Sequence, residues 1–127
     1  METVTIIDFE VLSAAIKQTR AFKAGDVIFR AGDPGSEMFV VKSGSVAIRI
    51  GDRTIETVGE NGVFGEMALV DARPRSATAV AAADCVVVPV SERQFLLLVR
   101  EAPYFALAVM RVLAERLRAA DAELGVR

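Results

Sequence analysis

The sequence predicts a mainly β protein with flanking helices (α+β). The expected architecture is an antiparallel β-roll or jelly-roll barrel with a short N-terminal helix, a short helix late in the roll and two C-terminal helices. Three observations predict it. Eight of the nine glycines lie between Gly25 and Gly65 and cut that stretch into short apolar segments. Within it, Val46, Ile48 and Ile50 alternate with Ala47 and Arg49, the period of two that belongs to a strand with one buried face. From Ser91 onward the glycines and turn pairs give way to helical spacing. Many short strands separated by frequent turns favour a closed roll over an open sheet.

The elements follow in order. Phe9, Leu12, Ala15 and Ile16 recur at helical spacing, and Asp8 can cap that helix. Strands are predicted at Val27-Ile28-Phe29, Met38-Phe39-Val40-Val41, Val46 to Ile50 and Thr54 to Val58. Two more are expected at Ser76 to Ala82 and Cys85 to Val90. Gly32-Asp33, Pro34-Gly35 and Gly51-Asp52 supply tight turns. Ser91-Glu92-Arg93-Gln94 is a capping box, so a helix starts there and ends near Arg100. Pro103 suits the first turn of a last helix reaching about Glu123. Phe105, Val109 and Val112 give that helix one apolar stripe for its own domain. Ala106, Met110, Leu113, Leu117, Ala120 and Leu124 give a second at heptad spacing, which suits a homodimer seam beyond Leu113.

The chain has 127 residues, enough for one domain (residues 1–127, roll about 21–90, C-terminal helices about 91–124). A domain of this length buries roughly 65–70% of its unfolded surface and folds without staples. Apolar residues make up 53% and charged residues 25%, which excludes a disordered chain. No apolar run is long enough to span a membrane, and no signal peptide opens the chain. Fifteen basic and seventeen acidic residues give net charge −2, the wrong sign for a phosphate-backbone binder, so no direct nucleic-acid contact is expected. Histidine is absent and there is one cysteine, which removes His-based catalysis and Cys/His zinc sites, and no metal site is expected. Cys85 lies in an apolar strand and reads as a buried thiol, consistent with a reducing, cytoplasmic setting.

The chemistry concentrates in Phe64-Gly65-Glu66-Met67-Ala68-Leu69-Val70, then Asp71-Ala72-Arg73-Pro74-Arg75-Ser76-Ala77-Thr78. Glu66 to Leu69 favours a helical turn, and Gly65, lacking a Cβ, lets the backbone pass close to a ligand. Free N–H groups at the start of such a turn attract an anion. Pro74 fixes the approach to Arg75, whose guanidinium can clamp a phosphate bidentately. Ser76 adds a hydroxyl beside Ala77. A carboxylate, an arginine and a nest of N–H groups together suit a sugar phosphate. Arg73, Glu60 and Asp71 read as solvated charges, and Phe64 and Leu69 as core. Arg111, Arg116 and Arg118 read as a solvated helix face.

That stretch resembles the phosphate-binding cassette of the cyclic-nucleotide-binding domain family. Gly25-Asp26-Val27-Ile28-Phe29-Arg30-Ala31-Gly32-Asp33 and Met38-Phe39-Val40-Val41-Lys42-Ser43-Gly44-Ser45-Val46 are similar to the family's opening strands and turn, and the resemblance covers about residues 8–120. It implies that Glu66 binds the ribose 2′-hydroxyl and Arg75 the cyclic phosphate. It assigns the amides of Met67 and Ala68 to phosphate or ribose, and Gly65 to close approach. Ser76 would contact the phosphate and reach toward the base, with Ala77 next to it. Ile48, Ile55 and Val58 resemble the apolar wall beside the purine.

The resemblance implies a regulatory sensor, without catalytic residues or cofactor, whose ligand shifts the C-terminal helices. Family members carry the domain beside a kinase, a channel pore or a DNA-binding helix-turn-helix. The helices from Ser91 to Leu124 resemble those of catabolite-activator-type bacterial regulators, where the long helix makes the dimer. No helix-turn-helix follows here, and the start Met1-Glu2-Thr3 reads as that of a complete small protein. The bacterial pattern favours cAMP, and the Ser76 hydroxyl keeps cGMP as the alternative. A dimerisation module with a lapsed pocket is the other reading. A cupin-like isomerase would need the histidines that this chain lacks.

Overall fold

The computed structural model of the chain describes residue 12 and residues 15–124. Leu12 and Ala15 are helical, and Ile16 N–H donates to Leu12 O at 2.8 Å, as the N-terminal pattern predicts. Asp8 and Phe9 lie outside the described residues. The strands are β1 (Arg20–Phe22), β2 (Val27–Phe29), β3 (Glu37–Ser43), β4 (Val46–Ile50), β5 (Arg53–Val58), β6 (Val63–Phe64), β7 (Thr78–Ala81) and β8 (Cys85–Ser91). The helices are α1 (Met67–Val70), α2 (Glu92–Glu101) and α3 (Tyr104–Leu124). The strands form two four-stranded antiparallel sheets, ordered β1-β8-β3-β6 and β2-β7-β4-β5. This is the predicted roll, with β1 and β6 added to the six strands the sequence predicts.

Two cores divide the apolar residues. Between the sheets lie Phe39, Val41, Val46, Phe64, Ala79 and Val87. Between the first sheet and the helices lie Met38, Val40, Val88, Leu98, Phe105 and Val109. Successive strand residues face opposite sides, so β3 sends Phe39 and Val41 inward and Met38 and Val40 outward. Both faces of that strand are buried, which explains its unbroken apolar run. The second sheet has a wetter outer face, and the sequence alternation of β4 puts Val46 and Ile48 on the inter-sheet side.

Ser91 caps α2. Its hydroxyl accepts from Gln94 N–H at 3.2 Å, and Ser91 N–H donates to the Gln94 side chain at 2.9 Å, completing the predicted box. Caps of this kind contribute about 1 kcal/mol. Phe105, Val109 and Val112 of α3 are buried, so the first stripe faces the protein's own core. On the second stripe, Leu113 is partly buried, while Met110 and Leu117 are exposed, Leu117 by 63%.

Candidate functional site

The site begins where β4 leaves the core. Val46, Ile48 and Ile50 share one face, and their burial falls along the strand. Val46 is sealed inside, whereas Ile48 and Ile50 line a cleft of about 680 Å³. β5 forms the adjoining wall with Ile55 and Glu56. The register between β4 and β5 shifts between Ile48 and Arg49, opposite these residues. Phe29 and Phe64 also line it, with ring centroids 6.0 Å apart, and Phe39 packs against both at 6.0 and 5.2 Å.

The structure brings Gly65, Glu66, Met67, Ala68, Arg75, Ser76, Ala77, Ile48 and Ile55 to this one cleft. Val58 is the exception. It is 5% exposed, pairs with Val46 and packs in the inter-sheet core rather than against the cleft. It lies two positions beyond Glu56 on the same strand, and that step carries it from the mouth of the roll into its interior. Phe64 is core, as expected, and also reaches the cleft. Leu69 packs against the helical core. Arg73 is a solvated loop residue, with a side chain 85% exposed that pairs with Asp71 at 3.3 Å.

Gly65 takes φ +74°, a left-handed conformation that a Cβ would strain. The turn that it makes starts α1, where Glu66 is the N-cap residue. The Glu66 side chain does not cap the helix. It is 4% exposed and turned toward α3.

Arg75 is held from several sides. Its N–H donates to Asp33 O at 2.8 Å, and its carbonyl accepts from Gly32 N–H at 2.8 Å. Nη1 donates to Gly65 O at 3.0 Å and Nη2 to Glu37 O at 2.8 Å. The guanidinium lies 4.1 Å from the Phe29 centroid, a cation–π contact of about 0.5–2 kcal/mol. Its Nε is buried without a hydrogen-bond partner. Burial pulls the Arg75 pKa below its ordinary value, against the opposing charges of Glu37, Asp33 and Glu66. Its terminal nitrogens are spent on neutral carbonyls, so these bonds orient the guanidinium without cancelling its charge.

Arg116 corrects the sequence reading. The sequence pattern places it on a solvated face with Arg111 and Arg118, which are exposed. Its side chain is only 26% exposed. Nε and Nη2 grip Glu56 at 2.8 and 3.1 Å, Nη1 donates to Glu66 at 2.5 Å, and Nη2 also donates to Val63 O at 2.6 Å. Burial opposes the charge of Arg116, but its hydrogen bonds and charge interactions with Glu56 and Glu66 outweigh this and raise its pKa. Sequence reasoning missed Glu56 and Arg116, and among the lining residues also Phe29, Ile50 and Arg53. A signal for Arg116 was present: it follows Val109 by seven residues and Val112 by four, so it continues the buried stripe of α3.

A cyclic nucleotide-binding domain model matches residues 19–102. The chain is 37% identical over 118 residues to the cyclic AMP receptor protein of Thermus thermophilus, covering 89% of this chain and 55% of that protein. The structure is similar to the crystal structure of Thermus thermophilus catabolite activator protein, with TM-score 0.78 and 36% identity, covering 91% of this chain and 58% of that one. A chain from a cyclic-GMP-dependent signalling pathway regulating bacterial phytopathogenesis gives TM-score 0.75 at 26% identity, covering 89% of this chain and 96% of that one. The chain thus spans little more than half the length of the Thermus proteins it matches. The matched segment contains both sheets, the turn at Gly65 and Arg75, and on that basis the chain belongs to the cyclic nucleotide-binding domain family.

Proposed function

We propose that this chain is a cytoplasmic, non-enzymatic sensor that binds cAMP in the cleft, with Arg75 taking the cyclic phosphate and Glu66 the ribose 2′-hydroxyl. The observation that carries this reading is the meeting of Arg75, Glu66 and the Ile48–Ile55 wall around one cleft. A charge-assisted clamp, a hydroxyl acceptor and an apolar face match the three parts of a cyclic nucleotide. Amides of Met67 and Ala68 and the Ser76 hydroxyl complete the expected contacts. The preference for cAMP draws on the cyclic AMP receptor protein of Thermus thermophilus. A cGMP-dependent protein kinase of Toxoplasma gondii, 36% identical over 74 residues, supports the alternative ligand.

Arg116 supplies a route from ligand to helix. It ties α3 to the carboxylate expected to meet the ribose, so a nucleotide must share or displace that contact. Such coupling requires different ligand affinity in the two positions of α3. A second copy of the chain is the proposed partner of α3 through Met110 and Leu117, and Leu117→Glu should then shift the sedimenting species to monomer. An unshifted species would remove that partner.

Isothermal titration with cAMP and with cGMP, after unfolding and refolding to strip copurified nucleotide, tests the reading. Binding of cAMP tighter than cGMP, with the nucleotide recovered intact, is expected. Tighter cGMP binding would reassign the ligand. No heat with either, from a folded chain, would reduce the cleft to a relic on a dimerisation module. Hydrogen exchange over residues 91–124 should change with saturating cAMP, and an identical pattern would sink the coupling.

A further inference from the structure

Gly35 lies in the turn between β2 and β3, 40 residues before Arg75 in sequence and against it in space. A Cβ built on Gly35 would collide with the Arg75 guanidinium, meeting Nε first, then Cζ and, at 2.7 Å, Nη2. Gly35 does not adopt the left-handed backbone conformation of Gly25, Gly32, Gly44, Gly51 and Gly65. Its lack of a side chain therefore answers a need for space rather than for an unusual backbone. The surrounding turn is built onto Arg75: Asp33 O and Glu37 O accept from it, and Gly32 N–H donates to it.

We infer that Gly35 is a positioning residue for ligand binding, whose missing side chain lets the Arg75 guanidinium hold its place at the cleft. The inference rests on the proposed role of Arg75 toward the cyclic phosphate. Atoms at the end of a flexible side chain can move where backbone cannot. A methyl at position 35 therefore displaces the guanidinium from the Glu37 and Gly65 carbonyls while the sheets stay as they are. Fold and binding should separate in Gly35→Ala.

The experiment is a double-mutant cycle of Gly35→Ala and Arg75→Ala in the full chain, read by titration with cAMP and cGMP and by melting temperature. Arg75→Ala should weaken binding by about 10- to 100-fold. Gly35→Ala should weaken it by about tenfold, and should add nothing once Arg75 is already alanine, because the two act through one group. A Gly35→Ala chain that binds like the unaltered protein while Arg75→Ala does not would overturn the inference. So would equal losses for Gly35→Ala in both backgrounds. If Gly35→Ala lowers the melting temperature, truncating Arg75 in the same chain must relieve the clash and restore it to the Arg75→Ala value; failure to do so counts against the contact. Unweakened binding in Arg75→Ala would instead overturn the proposed function, and the inference with it.

Discussion

Arg75 and Arg116 reach the same cleft from different parts of the fold, a loop of the roll and the last helix, and they are satisfied in different ways. Arg75 gives its terminal nitrogens to two backbone carbonyls, and its Nε has no hydrogen-bond partner. Arg116 grips two carboxylates and a carbonyl. Burial prevails at the first and lowers its pKa, whereas paired charge prevails at the second and raises it. The difference separates two kinds of buried cation. One is aimed but electrically unspent, and suits an incoming anion. The other is neutralised by its own protein and serves to join elements.

The largest effect should fall on ligand binding. Arg75→Ala removes a charge-assisted contact of about 1.5–3 kcal/mol, and the fold should survive the change. Arg75→Lys should recover only part of the loss, since an ammonium lacks the planar fork. Full recovery by lysine, measured by titration, would break the contrast between an oriented guanidinium and a simple charge.

Arg116→Ala tests the other side. It strands Glu66, which is almost wholly buried, but Glu56 retains 40% side-chain exposure and can turn to water. The expected loss of stability is about 1–2 kcal/mol, below that of a fully buried pair. Adding Glu66→Gln should return part of it, since an unpaired amide costs less than an unpaired carboxylate. A melting temperature unmoved by Arg116→Ala would show that the two carboxylates need no partner. The smallest effect belongs to Arg73, two residues from Arg75. Its exposed pairing with Asp71 should be worth well under about 1 kcal/mol, and Arg73→Ala should bind cAMP within about twofold of the unaltered chain. A larger loss would mean that the cleft extends its anion recognition beyond Arg75.

Local signals made most of the fold legible. The alternation of β4 and the Ser91–Gln94 box each lie within a few residues, and their physics is decided there. The Gly65-to-Ala77 stretch is contiguous, so its residues could be read as one unit. β1 and β6 have three and two residues, too few to show any period, and β6 also sends Val63 and Phe64 to different cores. Val58 was misplaced because alternation tells which face a residue takes but not how far along the roll it sits. Arg116 was missed because its partners lie 50 and 60 residues away, where only folding brings opposite charges together.

The two-sided burial of β3 sets where this protein can be altered. Met38 and Val40 face the helices while Phe39 and Val41 face the other sheet, so no position in that run offers a polar residue a wet side. β5 has exposed positions at Arg53, Thr54, Ile55 and Thr57. A library aimed at new ligand preference belongs on β5, the outer end of β4 and the late turns of α3, with β3 left untouched as the frame that the variants share.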